Sequence, residues 1–475
     1  MLFPTVAFAV FFVVVFTANW VLRPHERPWR LFMFGASLYF YAYWDVRFVG
    51  LILFSIVANW LFGQAVTGAL TRDGEKTQAS RTLVAMAVAV NLGVLGFFKY
   101  YGFFVESLLA LGDRFGIDIS PPLLEVILPV GISFFTFQAM SYVIDIGRGQ
   151  IGPMPALDFA VYLSFFPQLV AGPIVRASEF APQLQRRPDP RHVRMPEAFR
   201  LIFRGLFKKV VIASFLGTNI VDPVFANPGE HSALENLFAV YAYAIQIYAD
   251  FSGYTDIAIG CALLLGFRFP QNFDQPYRAL SVQEFWRRWH MTLSRWLRDY
   301  LYIPLGGNRG SPGFVRRNLF LTMLLGGLWH GAAWTFVAWG ALHGGYLVVE
   351  RVVKQRWEPR GYPLPLVRAG QWLLTFHLVC FAWVFFRAET FGQATDVLGR
   401  IAFAGGTGPL LTLLVAATIL AALAMQFVPG QVAARAERVV VATPLAVYGI
   451  ALAAGFTVMD ALSPEGVAPF IYFQF

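Results

Sequence analysis

The sequence predicts an all-α, polytopic membrane fold, and three observations carry that prediction. Hydrophobic residues fill 57% of the 475 positions, charged residues only 14%, and mean hydropathy reaches +0.56, a balance that ordinary soluble domains do not approach. Apolar runs of about 20 residues, the length a helix needs to cross a bilayer, recur along the chain. Lysine and arginine gather in the short segments between those runs. The net charge of +9 is then the positive-inside bias of cytoplasmic loops, and no nucleic-acid partner is expected. Cys261 and Cys380 lie in apolar segments without metal-type spacing, so neither a disulfide frame nor a thiolate metal site is expected.

The elements follow in order. Residues 4–22 form an apolar run without a basic leader or a small-residue cleavage site, so a first transmembrane helix is expected rather than a signal peptide. Further spans are expected over 31–44, 48–70, 82–104 and 123–144. Residues 156–175 contain Phe165-Phe166-Pro167 and Ala171-Gly172-Pro173, which predict an interrupted element because proline and glycine break the helical ladder. Spans over 198–220, 236–266, 318–349, 368–386, 408–428 and 442–460 bring the total to about eleven or twelve membrane elements. By their arginines and lysines, the loops with Arg72, Lys76 and Arg81, with Arg186, Arg187, Arg191 and Arg194, with the basic set from Arg287 to Arg317, and with Arg351, Lys354, Arg356 and Arg360 are cytoplasmic. Loops with Glu106, Asp113, Asp118 and Glu125, with Asp222, Glu230 and Glu235, and with Asp460 and Glu465 then face outward.

Ser281-Val282-Gln283-Glu284 has the form of a capping box, and the helix it opens runs to about Ile303, before Pro304 and Gly306-Gly307. At about 100° per residue, one arc collects Phe285, Trp286, Trp289, His290, Leu293, Trp296, Leu297, Tyr300 and Leu301. The other collects Glu284, Arg287, Arg288, Ser294, Arg295, Arg298 and Asp299. Aromatic anchors beside an arginine face predict a helix lying along the cytoplasmic interface, its basic side holding lipid headgroups or a phosphate-bearing substrate. Leu305-Gly306-Gly307-Asn308-Arg309-Gly310 would bring backbone amides and Arg309 toward a pyrophosphate.

The stretch from Asn318 to Val349 holds no Asp, Glu, Lys or Arg and is flanked by basic loops on both sides. It therefore either crosses twice or dips in and returns, and Gly326, Gly327, Gly331, Gly340, Gly344 and Gly345 favour a broken path. His330 falls at the expected turn. An imidazole at such depth is costly and faces protein or a watery cavity, which marks Trp329-His330-Gly331 as the chemical centre. Asp250 and Asp256, inside the apolar run from Leu237 to Phe267, need partners such as arginines, backbone amides or tyrosine hydroxyls; structural, tunnel-lining and catalytic roles all stay open for them. Lys99 is expected to snorkel. His343 lies thirteen residues past His330, about 20 Å along a continuous helix and on another face, which predicts packing. His377 is expected to be a hydrogen-bonded core residue. His25, His192 and His231 carry no argument.

The chain resembles the membrane-bound O-acyltransferase family, in particular the alginate O-acetyltransferase membrane-subunit type. The resemblance rests on the run from Tyr248 to Asp256, on Glu284-Phe285-Trp286-Arg287-Arg288-Trp289-His290, on Leu297 to Arg309, and on Gly327-Leu328-Trp329-His330-Gly331. Leu128 to Phe135, Ala171-Gly172-Pro173 and the terminal Phe470-Ile471-Tyr472-Phe473-Gln474-Phe475 add to it. It implies a multi-helix fold around a central tunnel, His330 as the family's essential histidine and His290 as its second one. It also implies transfer of an acyl group, acetyl by default, from cytoplasmic acetyl-CoA toward an outer acceptor. A periplasmic or membrane-tethered acetyltransferase partner would then modify an exopolysaccharide, alginate- or cellulose-like, from a bacterial inner membrane.

Transfer from a thioester to an alcohol needs a base near the hydroxyl, and an imidazole with pKa about 6.5 suits that role. His330 is the candidate base. His290 participates directly, orients a substrate or supports His330. Trp329 and Trp334 would wall the site, Gly331 would let the acyl group approach the backbone, and Trp286, Arg298, Tyr302, Asn308, Arg309 and Asp250 are candidate substrate contacts. No serine sits in a nucleophile elbow and no carboxylate–histidine set has metal spacing, so neither a covalent serine mechanism nor a metal is expected; no permanently bound cofactor is expected either, acetyl-CoA being the donor substrate. A polysaccharide or acyl-donor transporter is the alternative, since broken helices and buried polar groups also mark transport paths.

Overall fold

The computed structural model describes the chain apart from residues 72–73, 118–123, 125, 171, 187, 189, 357–363, 433–434, 436–437, 440–442, 445–446, 448, 451–452, 456, 458–470 and 472–475. Arg72, Asp118, Glu125, Ala171, Arg187, Arg360, Asp460, Glu465, most of the expected 442–460 span and all of the terminal motif except Ile471 thus lie outside the described residues. Among the described residues every regular element is helical. Val46–Gly68, Gln78–Arg114 and Leu364–Arg387 are long and apolar enough to cross a membrane, and Val6–Leu22 and Leu413–Phe427 are shorter apolar helices. The chain divides into two compact units, residues 1–195 with 258–270, and residues 196–257 with 271–475.

The first unit holds Val6–Leu22, Glu26–Ala42, Val49–Gly68, Gln78–Arg114, Ile132–Gly147, Ala156–Ser164 and Ala177–Gln185. Asn59 and Asn91 exchange side-chain hydrogen bonds of 3.2 and 2.7 Å across two of these helices, a neutral polar clamp suited to an apolar setting. The expected interruption is present: the helix stops at Ser164, and a short turn, Phe166–Leu169, follows. Polar groups released by the break find partners, as Gln168 donates to the Tyr162 carbonyl at 2.6 Å and Ser37 Oγ accepts from the Phe166 N–H at 3.3 Å. Such local compensation is what permits irregular backbone away from water.

The second unit carries the candidate chemistry. Met195–Leu206 runs on through wider π-type stretches, Phe207–Ala213 and Gly217–Val221, in place of the plain 198–220 span. The widening aims consecutive lysines at two carboxylates: Lys209 pairs with Asp250, while Lys208 and Arg204 hold Asp256 at 2.8 and 2.6 Å. Asp250 also accepts from the Ile471 N–H at 2.8 Å. The partners are thus an arginine and a backbone amide, as expected, with lysines in place of tyrosine hydroxyls.

Residues 318–349 fall in two helices, Pro312–His330 and Trp334–Arg356. Ser311 caps the first by accepting from the Phe314 N–H, and Pro312 occupies its first turn, where a missing N–H costs nothing. The two backbones touch at Gly327 and Gly340: a Cβ on Gly327 would meet the Phe336 carbonyl oxygen at 2.4 Å and the Gly340 Cα at 2.8 Å. Small residues at such a crossing let helices approach to backbone contact. His330 ends the first helix thirteen residues beyond Arg317, about 20 Å of helical rise.

Candidate active site

The helix expected from Ser281 to Ile303 is two helices. Ser281 caps the first, Val282–Arg288, by accepting from the Glu284 N–H at 3.2 Å, while Glu284 reaches back to the Leu280 N–H at 2.9 Å, one residue beyond a standard capping box. Burial pushes the Glu284 carboxyl up, but the Leu280 N–H and Arg288 outweigh it and hold the group below its ordinary value. The chain then turns through His290, whose φ of 41° lies in the left-handed region, and resumes as Met291–Leu297 and a π-type turn, Arg298–Tyr302. Asn272 causes the break. Its carbonyl accepts from the Met291 N–H at 2.9 Å, and its Oδ1 accepts from the Thr292 N–H at 3.1 Å and the Thr292 hydroxyl at 2.9 Å, so it caps the second helix from outside. The two arcs survive the break: Phe285, Trp286, Trp289, His290, Leu293, Trp296, Leu297 and Tyr300 are buried, and Arg287 and Arg298 are exposed.

His290 is fully buried, with Nδ1 at 3.1 Å from Asn272 Oδ1 and the edge of Phe251 at 4.7 Å between ring centres. It lies outside the three long apolar spans, and burial lowers its pKa to about 3, so the ring is neutral at any working pH. Trp329 stands between the two candidate histidines, its ring 6.3 Å from His290 and 5.0 Å from His330. His330, 4% exposed, also packs against Trp339 at 5.0 Å and Phe386 at 5.3 Å.

His343 joins the same cluster. Because the chain reverses at Gly331, the thirteen-residue spacing does not carry His343 away: its ring lies 4.7 Å from Trp339, which touches His330. The Trp286 indole donates to His343 Nδ1 at 3.2 Å. An indole N–H only donates, so the proton of neutral His343 sits on Nε2. His377 departs from expectation in another way. It is exposed rather than core, with Nδ1 donating to the Leu373 carbonyl at 2.7 Å and Nε2 at 2.9 Å from the Tyr241 hydroxyl.

Trp286 has a second neighbour, a cavity of about 800 Å³. The predicted contacts Trp286, Arg298, Tyr302 and Asn308 all line it, together with Arg287, Arg295, Arg351, Lys354 and Glu350. Five cationic side chains against one carboxylate make it a seat for an anion. Glu350 is engaged on the rim, accepting from the Gln283 N–H at 3.1 Å and from Lys354 at 2.5 Å. Tyr302 donates to Asn308 Oδ1 at 2.8 Å, which leaves the Asn308 amide nitrogen as a donor.

The other predicted contacts lie elsewhere. Arg309 does not line the cavity, and the glycine loop turns its amides inward: Leu305, Gly306, Gly307 and Arg309 donate to Leu301, Ile303, Tyr302 and Gly306 carbonyls at 2.9–3.1 Å. Those four N–H groups are not available to a pyrophosphate. Gly331 leaves no room for an acyl group, because the Phe336 ring fills the space, 2.1 Å from where a Cβ would stand. Trp334 is 57% exposed, so it does not wall the His330 site. Asp250 is engaged by Lys209 and Ile471. Sequence reasoning missed Asn272 and the inclusion of His343; a signal for the latter was Trp339 at four residues before it, one helical turn toward the glycine break. Among the described residues no group of three or more His, Cys, Asp or Glu is arranged to hold a metal ion.

Residues 30–388 match the sequence pattern of the membrane-bound O-acyltransferase family. The chain is 42% identical over 397 residues to the "Probable alginate O-acetylase AlgI" of Azotobacter vinelandii, covering 83% of this chain and 76% of that protein. It is 38% identical over 397 residues to the "Peptidoglycan O-acetyltransferase" of Helicobacter pylori, covering 78% and 73%. It is 27% identical over 278 residues to the "Teichoic acid D-alanyltransferase" of Bacillus subtilis, covering 55% and 69%.

Proposed function

Because the chain belongs to the membrane-bound O-acyltransferase family, we propose that it draws an acetyl group from cytoplasmic acetyl-CoA and passes it through a central tunnel for O-acetylation of an exopolysaccharide. It is an O-acyltransferase, which sets the transporter reading aside. Relatives named for alginate and peptidoglycan O-acetylation support the acetyl group and a carbohydrate polymer, alginate- or cellulose-like, as the final acceptor. The immediate receiver is a serine hydroxyl on a periplasmic or membrane-tethered partner, and the protein sits in the bacterial inner membrane.

One observation carries this reading: the cation-lined cavity and the buried histidines meet at Trp286, whose ring borders the cavity and contacts both His343 and Trp339. The phosphates of coenzyme A belong in the cavity, where Arg287, Arg295, Arg298, Arg351 and Lys354 face them. The acetyl thioester points inward, toward His330. There His330 takes the proton of the acceptor hydroxyl as its oxygen bonds the carbonyl carbon, and the carbon–sulfur bond breaks to release coenzyme A as the thiolate, which is reprotonated. A base of this kind supplies roughly 10²–10⁴ in rate, and positioning supplies the rest.

The test uses purified full-length protein, acetyl-CoA labelled in the acetyl group and the candidate partner. Labelled partner should accumulate with wild type and not with His330→Ala that elutes as a folded monodisperse species. Undiminished labelling by His330→Ala would remove the base role. Failure of coenzyme A to compete with the donor would remove the cavity assignment.

A further inference from the structure

We infer that Asn272 is a positioning residue that holds the His290 imidazole in its Nδ1–H tautomer, so that Nε2 is the atom His290 presents to the acyl acceptor. The identity of the presented atom rests on geometry alone; its use in catalysis rests on the acyl-transfer reading above.

The atom of Asn272 that faces Thr292 lies 3.1 Å from its backbone N–H and 2.9 Å from its hydroxyl. A backbone N–H only donates, so that atom is the carbonyl Oδ1 and not the amide nitrogen. The same Oδ1 lies 3.1 Å from His290 Nδ1. An amide oxygen only accepts, which makes Nδ1 the protonated nitrogen of the neutral ring and leaves the lone pair on Nε2.

The ring has little freedom to escape this assignment. His290 is held at a left-handed φ of 41° because Asn272 also binds the next two residues, through its own carbonyl to the Met291 N–H and through Oδ1 to Thr292. Phe251 meets the ring edge-on and Phe273 lies over it, 6.4 Å away and tilted 24°. One buried side chain, 1% exposed itself, therefore sets the turn, the ring and its proton. His343 provides the contrast within the same cluster: its donor is Trp286, and its proton is placed on the opposite nitrogen. The two histidines are thus fixed in opposite senses by partners of opposite hydrogen-bonding character.

The experiment reads the proton directly. Full-length protein with ring-¹⁵N histidine is purified in detergent, and the His290 resonances are assigned by their loss in His290→Gln. Wild type should show Nδ1 protonated and Nε2 bare; a proton on Nε2 in wild type would overturn the proposal. Asn272→Asp keeps an oxygen for all three donors and should retain the Nδ1–H form. Asn272→Leu should move the proton toward Nε2 and lower turnover about 10-fold or more, the usual scale for removing a group that orients a working histidine. An unchanged tautomer in Asn272→Leu would also overturn the proposal, and if that variant does not fold, the wild-type and Asn272→Asp spectra decide. Full turnover by His290→Gln beside an Nδ1–H wild-type spectrum would instead strike the catalytic use of His290 and leave the Asn272 assignment standing.

Discussion

At the scale of single residues, His290 is held where few side chains sit comfortably. A residue with a Cβ at positive φ is strained, asparagine tolerates that region better than most, and β-branched residues tolerate it least. His290→Asn should therefore remain folded, with a thermal midpoint closer to wild type than His290→Val, while both lose acyl transfer. Equal midpoints for the two would show that the left-handed turn does not govern this site. The sequence made His290 and His330 visible because a titratable ring in an apolar run is conspicuous. It hid Asn272 because an asparagine in a loop is ordinary, and its importance comes from contacts with His290 and Thr292, eighteen and twenty positions later. His343 was misplaced for a related reason: the 20 Å separation assumes an unbroken helix, whereas the chain reverses at Gly331.

At the scale of elements, the hairpin of Pro312–His330 and Trp334–Arg356 positions the cluster, and its glycines are not equivalent. A Cβ on Gly340 would stand 2.6 Å from the Met323 carbonyl oxygen, whereas one on Gly345 would meet nothing within 4 Å. Gly340→Ala should cost about 1–3 kcal/mol through overpacking, and Gly345→Ala should be neutral or stabilising by up to about 1 kcal/mol through helix propensity. Unfolding midpoints in one detergent check the pair, and the opposite ranking would refute the close-packed hairpin. Asp250→Asn would strand the Lys209 ammonium without its counter-charge, an expected loss of about 3–5 kcal/mol. The glycine run made two pieces legible, since glycine excess in an apolar stretch signals either a break or close helix contact. The Asp250 partner in a π-type stretch was not legible, because one inserted residue per turn leaves no mark in hydropathy.

At the scale of the whole molecule, apolar runs and basic loops sufficed to read an all-helical membrane protein. Four of the predicted substrate contacts, Trp286, Arg298, Tyr302 and Asn308, line one cavity, and they fall within one short stretch of sequence, a pattern local enough to be read from the chain. The far wall, Arg351 and Lys354, comes from a helix more than forty residues on, where sequence spacing says nothing of proximity. Sidedness follows from the same charges: position 356 should face the cytoplasm and position 230 the opposite side. Arg356→Cys should react with a membrane-impermeant maleimide only in inside-out vesicles and Glu230→Cys only in right-side-out cells; the reverse would invert the topology and with it the direction of transfer. Both native thiols, Cys261 and Cys380, are enclosed by packing and unpaired with each other. The unmodified protein is thus already a dark background for thiol chemistry, and a single introduced sulfhydryl can report accessibility, distance or trapping without first stripping the chain of its own.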